Sequence, residues 1–345
     1  MSARPHLPWL IALLVGCVGR AAAQHAPPAD SLHEARRVLL LMGTRFAFGA
    51  YATTAAAAER AVEAGIAEVA RIERRISSWD PASETSAVNY AAGRAPVAVS
   101  AELLALLARC RKVSELTGGA FDVTAGGLAD LYRFGGQDTT LPAPGRLAGA
   151  RARVDYRGVA IDREAQTVAL AREGMRIGFG AIGKGYAANR AREVMRAAEG
   201  VVGGVVDAAG DLATFGRGRD AAWHVGIADP RDPARWLGQL DVTGDRAVVT
   251  SGDYERYFTV GSTRYAHVVD PRTALPTTDV RSATVVCADA ELADALATAI
   301  FVLGPREGID LLDGLRGVEG LIVDADGARH TSKGLTLAPY VPDDD

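Results

Sequence analysis

Gly178-Phe179-Gly180-Ala181-Ile182-Gly183-Lys184-Gly185-Tyr186-Ala187 is the stretch whose surroundings decide the fold. Its first six residues fit G-x-G-x-x-G, the pattern of a dinucleotide-binding turn. A strand pattern over 175–179 precedes it and a helical pattern over 184–198 follows. Asp207 closes the next strand pattern, 201–206, where an acid for a ribose hydroxyl would belong. Gly178, Gly183 and Lys184 also have P-loop spacing, but Gly185 stands where that motif needs a magnesium-binding Ser or Thr, so the P-loop reading fails. Both readings share one physical fact: small residues let a backbone approach phosphate, and Lys184 adds positive charge at a helix N-terminus. A tight strand-to-helix turn with an exposed lysine meets the same pattern with no ligand at all.

Working outward, the dinucleotide fold loses support. The turn lies mid-chain, and β-hairpins rather than further βαβ units follow. The pattern from 223 to 269 is β, with turns at Gly244-Asp245 and Gly261-Ser262. A strand is expected over 281–287, helices over 291–303 and 306–312, and short strands over 320–324 and 328–331. Upstream, 38–51 reads as strands around a turn at Gly43. A helix is expected over 54–77, with Val62, Ile66, Val69 and Ile72 at helical spacing, and another over 100–116 with Ser100 as N-cap. Residues 117–136 read as a glycine-rich loop with a short helical piece near Leu128, 136–151 as an irregular linker, and 167–171 as a strand. Strand and helix mix without strict alternation, so the class is α+β. A nicotinamide-dependent oxidoreductase is the reading this context disfavours.

The chain has 345 residues, 48% hydrophobic and 23% charged, which is globular composition. A formal charge of −4 supplies no basic field for a nucleic-acid backbone, and no nucleic-acid partner is expected. Residues 1–23 read as a signal peptide: one arginine within residues 1–6, an apolar run over 7–18, then Ala21-Ala22-Ala23. The run is shorter than the roughly 20 residues of a spanning helix. A second processing reading rests on Leu14-Val15-Gly16-Cys17, which resembles a lipobox; the leader would then be 1–16 and Cys17 the acylated residue. Either reading exports the chain to the periplasm, free or anchored to the inner membrane. Residues 24–36 read as a tether and 37–340 as a single domain. Cys110 and Cys287 are expected as buried free thiols, although export would permit a disulfide, and no Cys/His spacing suggests zinc.

Five segments together resemble the ApbE family of FAD:protein FMN transferases. They are Met42-Gly43-Thr44; Ser78-Trp79-Asp80 through Ser83-Glu84 to Asn89; Thr117-Gly118-Gly119-Ala120-Phe121-Asp122-Val123-Thr124; Gly180 through Ala187; and a C-terminal set. That set comprises Thr250-Ser251-Gly252-Asp253-Tyr254-Glu255-Arg256, His267-Val268-Val269-Asp270-Pro271-Arg272-Thr273 and Ala293-Asp294-Ala295-Leu296-Ala297-Thr298-Ala299. Their order and spacing across nearly the whole chain make the match specific.

The resemblance implies an ApbE-like, T-fold-related architecture of mixed sheets with flanking helices. It implies a Mg2+ site made by Asp294, Thr298 and the Ala181 carbonyl. Asp294 and Thr298 stand at i and i+4 and share a helix face, and oxygen ligands suit that ion. It places Met42, Trp79, Ala120, Phe121 and Asp122 at the flavin, with Trp79 where Tyr is common, and Gly178 and Lys184 at the cofactor-binding turn. His267 is the general-base candidate, with Asp294 the second catalytic group, and Asp270 either orients His267 or caps the turn at Pro271. The implied reaction moves the FMN part of FAD onto a Thr or Ser hydroxyl of an exported acceptor protein and releases AMP. An FAD carrier or an FAD pyrophosphatase would use the same pocket. The Ser/Thr flavinylation motif of the family's acceptors does not occur here, so this chain is not expected to label itself. Three positions depart from the family pattern: Gly178 where Asp is frequent, and Ala274 and Ala209 where Gly is usual.

Overall fold

The computed structural model describes residues 31–134, 140–219 and 221–341. The signal peptide, its cleavage site, the Cys17 lipobox and the tether as far as residue 30 lie outside the described residues. In chain order the elements are β1 (His33–Leu41), β2 (Thr44–Ala52), α1 (Ala55–Ile76), α2 (Glu84–Tyr90), β3 (Val97–Ala98), α3 (Ala101–Leu116), α4 (Pro144–Arg151), β4 (Val159–Asp162), β5 (Thr167–Leu170) and α5 (Gly183–Arg196). They continue with β6 (Val201–Ala208), β7 (Asp211–Gly216), β8 (Trp223–Ala228), β9 (Trp236–Val242), β10 (Arg246–Gly252), β11 (Tyr257–Val260), β12 (Thr263–Ala266), β13 (Val280–Cys287), α6 (Ala290–Asp313), β14 (Glu319–Asp324) and β15 (Arg329–Thr331).

An eight-stranded antiparallel sheet, ordered β1-β2-β6-β7-β10-β13-β14-β15, is the frame. Alternation along its strands sorts side chains between two layers. Ala247, Val249, Val285 and Ile322 join the main core, together with buried residues of α1, α5 and α6. Their neighbours Val248, Val286, Leu321 and Val323 face the opposite way and meet Val225, Ile227, Leu240 and Val242 of the β8–β9 ribbon. Helices therefore cover one face and a β-ribbon covers part of the other. This is α+β, as the mixture of patterns implies, and no run of βαβ units surrounds the glycine turn.

The caps follow the sequence. Thr54 and Ser100 accept from Ala57 N and Leu103 N at the starts of α1 and α3. The two helices expected near the C-terminus both form within α6, parted by a non-helical Gly304 (φ 79) ahead of Pro305. Cys110 and Cys287 are buried free thiols.

Several expectations need correction. Residues 175–179 form no strand. Asn89 takes the bonds a ladder would make, donating to Ile177 O (2.9 Å) and accepting from Ile177 N (2.7 Å), and Gly178 N donates to Val123 O. The expected linker contains α4, which starts on a proline and buries none of its residues, so no apolar stripe announces it. β1 begins at His33, inside the expected tether, because its hairpin register with β2 runs from Leu41↔Thr44 out to His33↔Ala52. Helix α2 and strand β7 lacked a periodic signal long enough to be read.

Candidate active site

The N-terminus of α5 is built by the glycine segment. Phe179 O accepts from Ile182 N and Gly183 N, which turns the chain sharply into the helix. Gly185, in the first turn, abuts α6 so closely that a Cβ there would run into Ala290 O and lie 2.7 Å from the Cβ of Asp294. Only glycine permits this approach, and it lets Gly185 N donate to Asp294 Oδ2 at 2.9 Å. Further along α5, Asn189 accepts from Ala290 N (2.9 Å) and donates to Asp289 Oδ1 (2.7 Å), the N-cap of α6. The two helices are thus locked where Lys184 and Asp294 meet.

Above this junction opens a cavity of about 1060 Å3. Its lining includes Met42, Trp79, Phe179, Gly180, Lys184, Tyr254, Glu255 and Arg256. The volume lies at the upper end of small-molecule sites, about 300–1,000 Å3, and suits a ligand of dinucleotide size. Trp79 is 86% exposed on the rim, far from any core role. Met42 holds a left-handed backbone (φ 51) in the β1–β2 turn.

Three charges lie at the floor. Lys184 pairs with Asp211, whose side chain is almost wholly enclosed. Burial works against the lysine charge, but Asp211 and Asp294 outweigh it and hold its pKa above the ordinary value. Burial raises both carboxylates, with Lys184 opposing the shift in each case. One ammonium therefore serves two buried carboxylates, and Asp211 Oδ1 has no hydrogen-bond partner among the described residues. The Asp294 carboxylate and the Thr298 hydroxyl one turn on are hard-oxygen donors beside this under-neutralised carboxylate pair, and that donor chemistry fits a magnesium ion. Among the described residues no group of three or more His, Cys, Asp or Glu side chains gathers as a ready metal cage.

His267 does not line the cavity. Its backbone N–H donates to Arg256 O, its Nε2 lies 3.7 Å from Glu255 Oε2, and its buried Nδ1 has no hydrogen-bond partner among the described residues. Burial, then the Arg256 cation, pushes its pKa down to about 4, so the ring is neutral at pH 7. Asp270 caps the turn, accepting from Arg272 N at 2.8 Å, and pairs with the Arg272 guanidinium rather than with His267.

The structure thus brings Met42, Trp79 and Lys184 to one cavity, with Asp294 directly beneath Lys184. Ala181 and Gly178 lie in the turn behind it. Ala120 and Phe121 are buried in the main core. Asp122 accepts from Thr124 N and Tyr156 N and lines a separate cavity of about 660 Å3 with Arg151, Arg157, Arg172 and Arg272. Burial raises the Asp122 pKa. The loop carrying these three residues braces the glycine turn from behind, through Val123 and through Gly126, whose Cα lies 3.2 Å from where a Cβ on Gly178 would sit.

Residues 42–322 match the model of the ApbE family. The chain belongs to that family. It is 34% identical to the FAD:protein FMN transferase of Treponema pallidum over 94% of this chain and 92% of that protein. It is 30% identical to the enzyme of the same name from Klebsiella pneumoniae, over 82% and 87%. In three dimensions it is similar to the ApbE protein of Thermotoga maritima, with a TM-score of 0.79, 30% identity, and 87% and 97% of the two chains covered.

As an ApbE protein it carries its departures at structurally meaningful places. Ala209 (φ 57) and Ala274 (φ 61) both hold a left-handed backbone, which a glycine adopts freely. Sequence reasoning assigned no role to Asp211, Glu255 or Arg256. Asp211 follows a tight Ala209-Gly210 turn as the first residue of β7, and a charged residue opening a strand in that context was the available signal.

Proposed function

We propose that this ApbE protein is an enzyme that transfers the FMN moiety of FAD to a Ser or Thr hydroxyl of an acceptor protein, releasing AMP. The observation that carries this reading is the cavity floor. A glycine turn opens α5, Lys184 rises from its first turn, and two buried carboxylates stand against that lysine. The name shared by the Treponema and Klebsiella relatives, FAD:protein FMN transferase, supports the transfer of FMN from FAD to a protein. The leader-like sequence supports an exported acceptor and a periplasmic site of action.

The chemistry balances simply. The acceptor hydroxyl oxygen bonds to the phosphorus of the FMN half, and the bond from that phosphorus to the bridging oxygen breaks. AMP departs with that oxygen, and the hydroxyl proton passes to a base and then to water. Met42, Trp79 and Phe179 give the flavin ring flat apolar surface. The first turn of α5 offers backbone N–H groups and the favourable end of a helix dipole to phosphate. Asp294, Thr298 and the Ala181 carbonyl would hold Mg2+, which when bound neutralises charge on the pyrophosphate oxygens. Glu255 lines the cavity with His267 Nε2 behind it, so a proton leaving the hydroxyl meets the Glu255 carboxylate first and the neutral imidazole next.

Product analysis tests this reading. The protein is incubated with FAD, Mg2+ and an acceptor fragment, and AMP is quantified by chromatography. AMP appearing only with acceptor, and in step with acceptor labelling, is the expected result. AMP and FMN formed without acceptor would replace the transferase with a pyrophosphatase, and FAD bound but intact would replace it with a carrier.

A further inference from the structure

Four charged side chains line the large cavity: Glu73, Lys184, Glu255 and Arg256. Lys184 is committed to Asp211 and lies against Asp294. Glu73 and Glu255 are carboxyl side chains and offer an anion no donor. Arg256 is the exception. It is exposed to the cavity, and among the described residues its guanidinium makes no hydrogen bond or ion pair. Three of the four arginines lining the smaller cavity differ in this respect, since Arg157 and Arg172 meet Asp155 and Arg272 meets Asp270.

The position of Arg256 is fixed by a short hairpin. β11 and β12 pair from Val260↔Thr263 to Tyr257↔Ala266. One step further Arg256 lies opposite His267, and His267 N donates to Arg256 O at 2.9 Å. Residues directly opposite on an antiparallel pair project to the same side. The hairpin is itself anchored by Phe258, which is fully buried and stacks on Tyr132 and Tyr265. An unpaired guanidinium and a neutral imidazole are thus presented side by side by one rigid element, and the arginine charge is felt at the ring.

We infer that Arg256 is a binding residue for the phosphoanhydride of FAD, the one uncommitted cation of the cavity, held beside His267 by the β11–β12 hairpin. This rests on the flavin-transfer reading and adds the group that recognises the anionic bridge of the substrate. A planar fork of N–H donors matches phosphate oxygens in a way that an ammonium already paired to a carboxylate does not.

The test compares ligands that share the ring and differ in phosphate. Binding of FAD and of riboflavin to the protein in Mg2+ buffer is measured by flavin fluorescence for the parent, Arg256→Gln and Arg256→Lys. Loss of a charge-assisted contact should weaken FAD binding in Arg256→Gln by roughly tenfold or more, with partial recovery in Arg256→Lys. Riboflavin affinity should stay unchanged, which a merely structural defect would not allow. FAD affinity within about twofold of the parent, or equal losses for FAD and riboflavin, would overturn the assignment; the twofold bound is small against the free energy of one charged contact. A parent protein that binds neither flavin would overturn the flavin reading itself, an outcome separable from these because it appears before any substitution is made.

Discussion

Asp294 is enclosed by the α5–α6 junction, held by the Gly185 N–H and balanced by a lysine that it shares with Asp211. Replacing it with Asn keeps its shape and removes one of two competing negative charges. Metal-ion stabilisation is worth several kcal/mol, so Asp294→Asn should lower kcat/KM by roughly 100-fold or more. The thermal midpoint should hold or rise, because a buried charge has been removed. Steady-state kinetics beside a melting curve checks the split. The two left-handed alanines make a paired prediction. Ala209 is exposed and Ala274 is fully buried, although both hold positive φ. Relief of left-handed strain, worth about 1–2 kcal/mol before the entropy cost of glycine, should make Ala209→Gly more stable by about 0.5 kcal/mol or more. At Ala274 the same relief is opposed by loss of a buried methyl, worth about 0.8 kcal/mol, so Ala274→Gly should be near neutral. Denaturant unfolding of both variants distinguishes these outcomes.

At the scale of elements, the site is a junction between helices whose sequence positions are about a hundred residues apart. Gly185→Ala would drive a methyl into Ala290 O and toward Asp294. Overpacking of this kind costs about 1–3 kcal/mol. It should also abolish transfer, since it separates Lys184 from Asp294; a variant that stayed fully active would show that the helix contact is not needed. Asn89→Ala removes two bonds to Ile177 and leaves backbone groups beside the glycine turn unpaired. Each buried group left unsatisfied costs about 1–3 kcal/mol, and hydrogen exchange over residues 175–183 should speed up. Asn89 also explains what was legible in the sequence and what was not. Apolar residues over 175–179 look like a strand to any periodicity argument, because their partner is a side chain 88 residues away. The shared helix face of Asp294 and Thr298 could be read, since their spacing is local. The Lys184–Asp211 pair could not, because it joins a helix start to a strand start through tertiary packing alone. His267 was legible as a base candidate, but its place behind Glu255 and Arg256 depends on hairpin register, which sequence spacing does not fix.

For the molecule as a whole, one eight-stranded sheet organises the site from both ends of the chain. The β1–β2 turn supplies Met42, the β6–β7 turn supplies Ala209 and Gly210, and the segment after β10 supplies Tyr254 to Arg256. Global stability should carry the mark of His267. Its native pKa is lowered from 6.5 to about 4 by burial and Arg256. Above pH 6.5 both folded and unfolded chains hold it neutral and it adds no pH dependence. As pH falls from 6.5 toward 4 the unfolded chain binds a proton that the native chain refuses, so stability declines. Melting curves of the parent and of His267→Gln across that window should show a steeper acid decline in the parent; parallel curves would contradict the burial of a neutral ring.

Flavin transfer is tested by the intact mass of an acceptor fragment that carries a Ser or Thr flavinylation site, after incubation with this protein, FAD and Mg2+. A gain of one FMN is expected. That gain should disappear with EDTA, with Asp294→Ala and when the acceptor hydroxyl is removed. An acceptor that stays unlabelled while FAD is cleaved, or labelling that survives loss of Asp294, would contradict flavin transfer at this site.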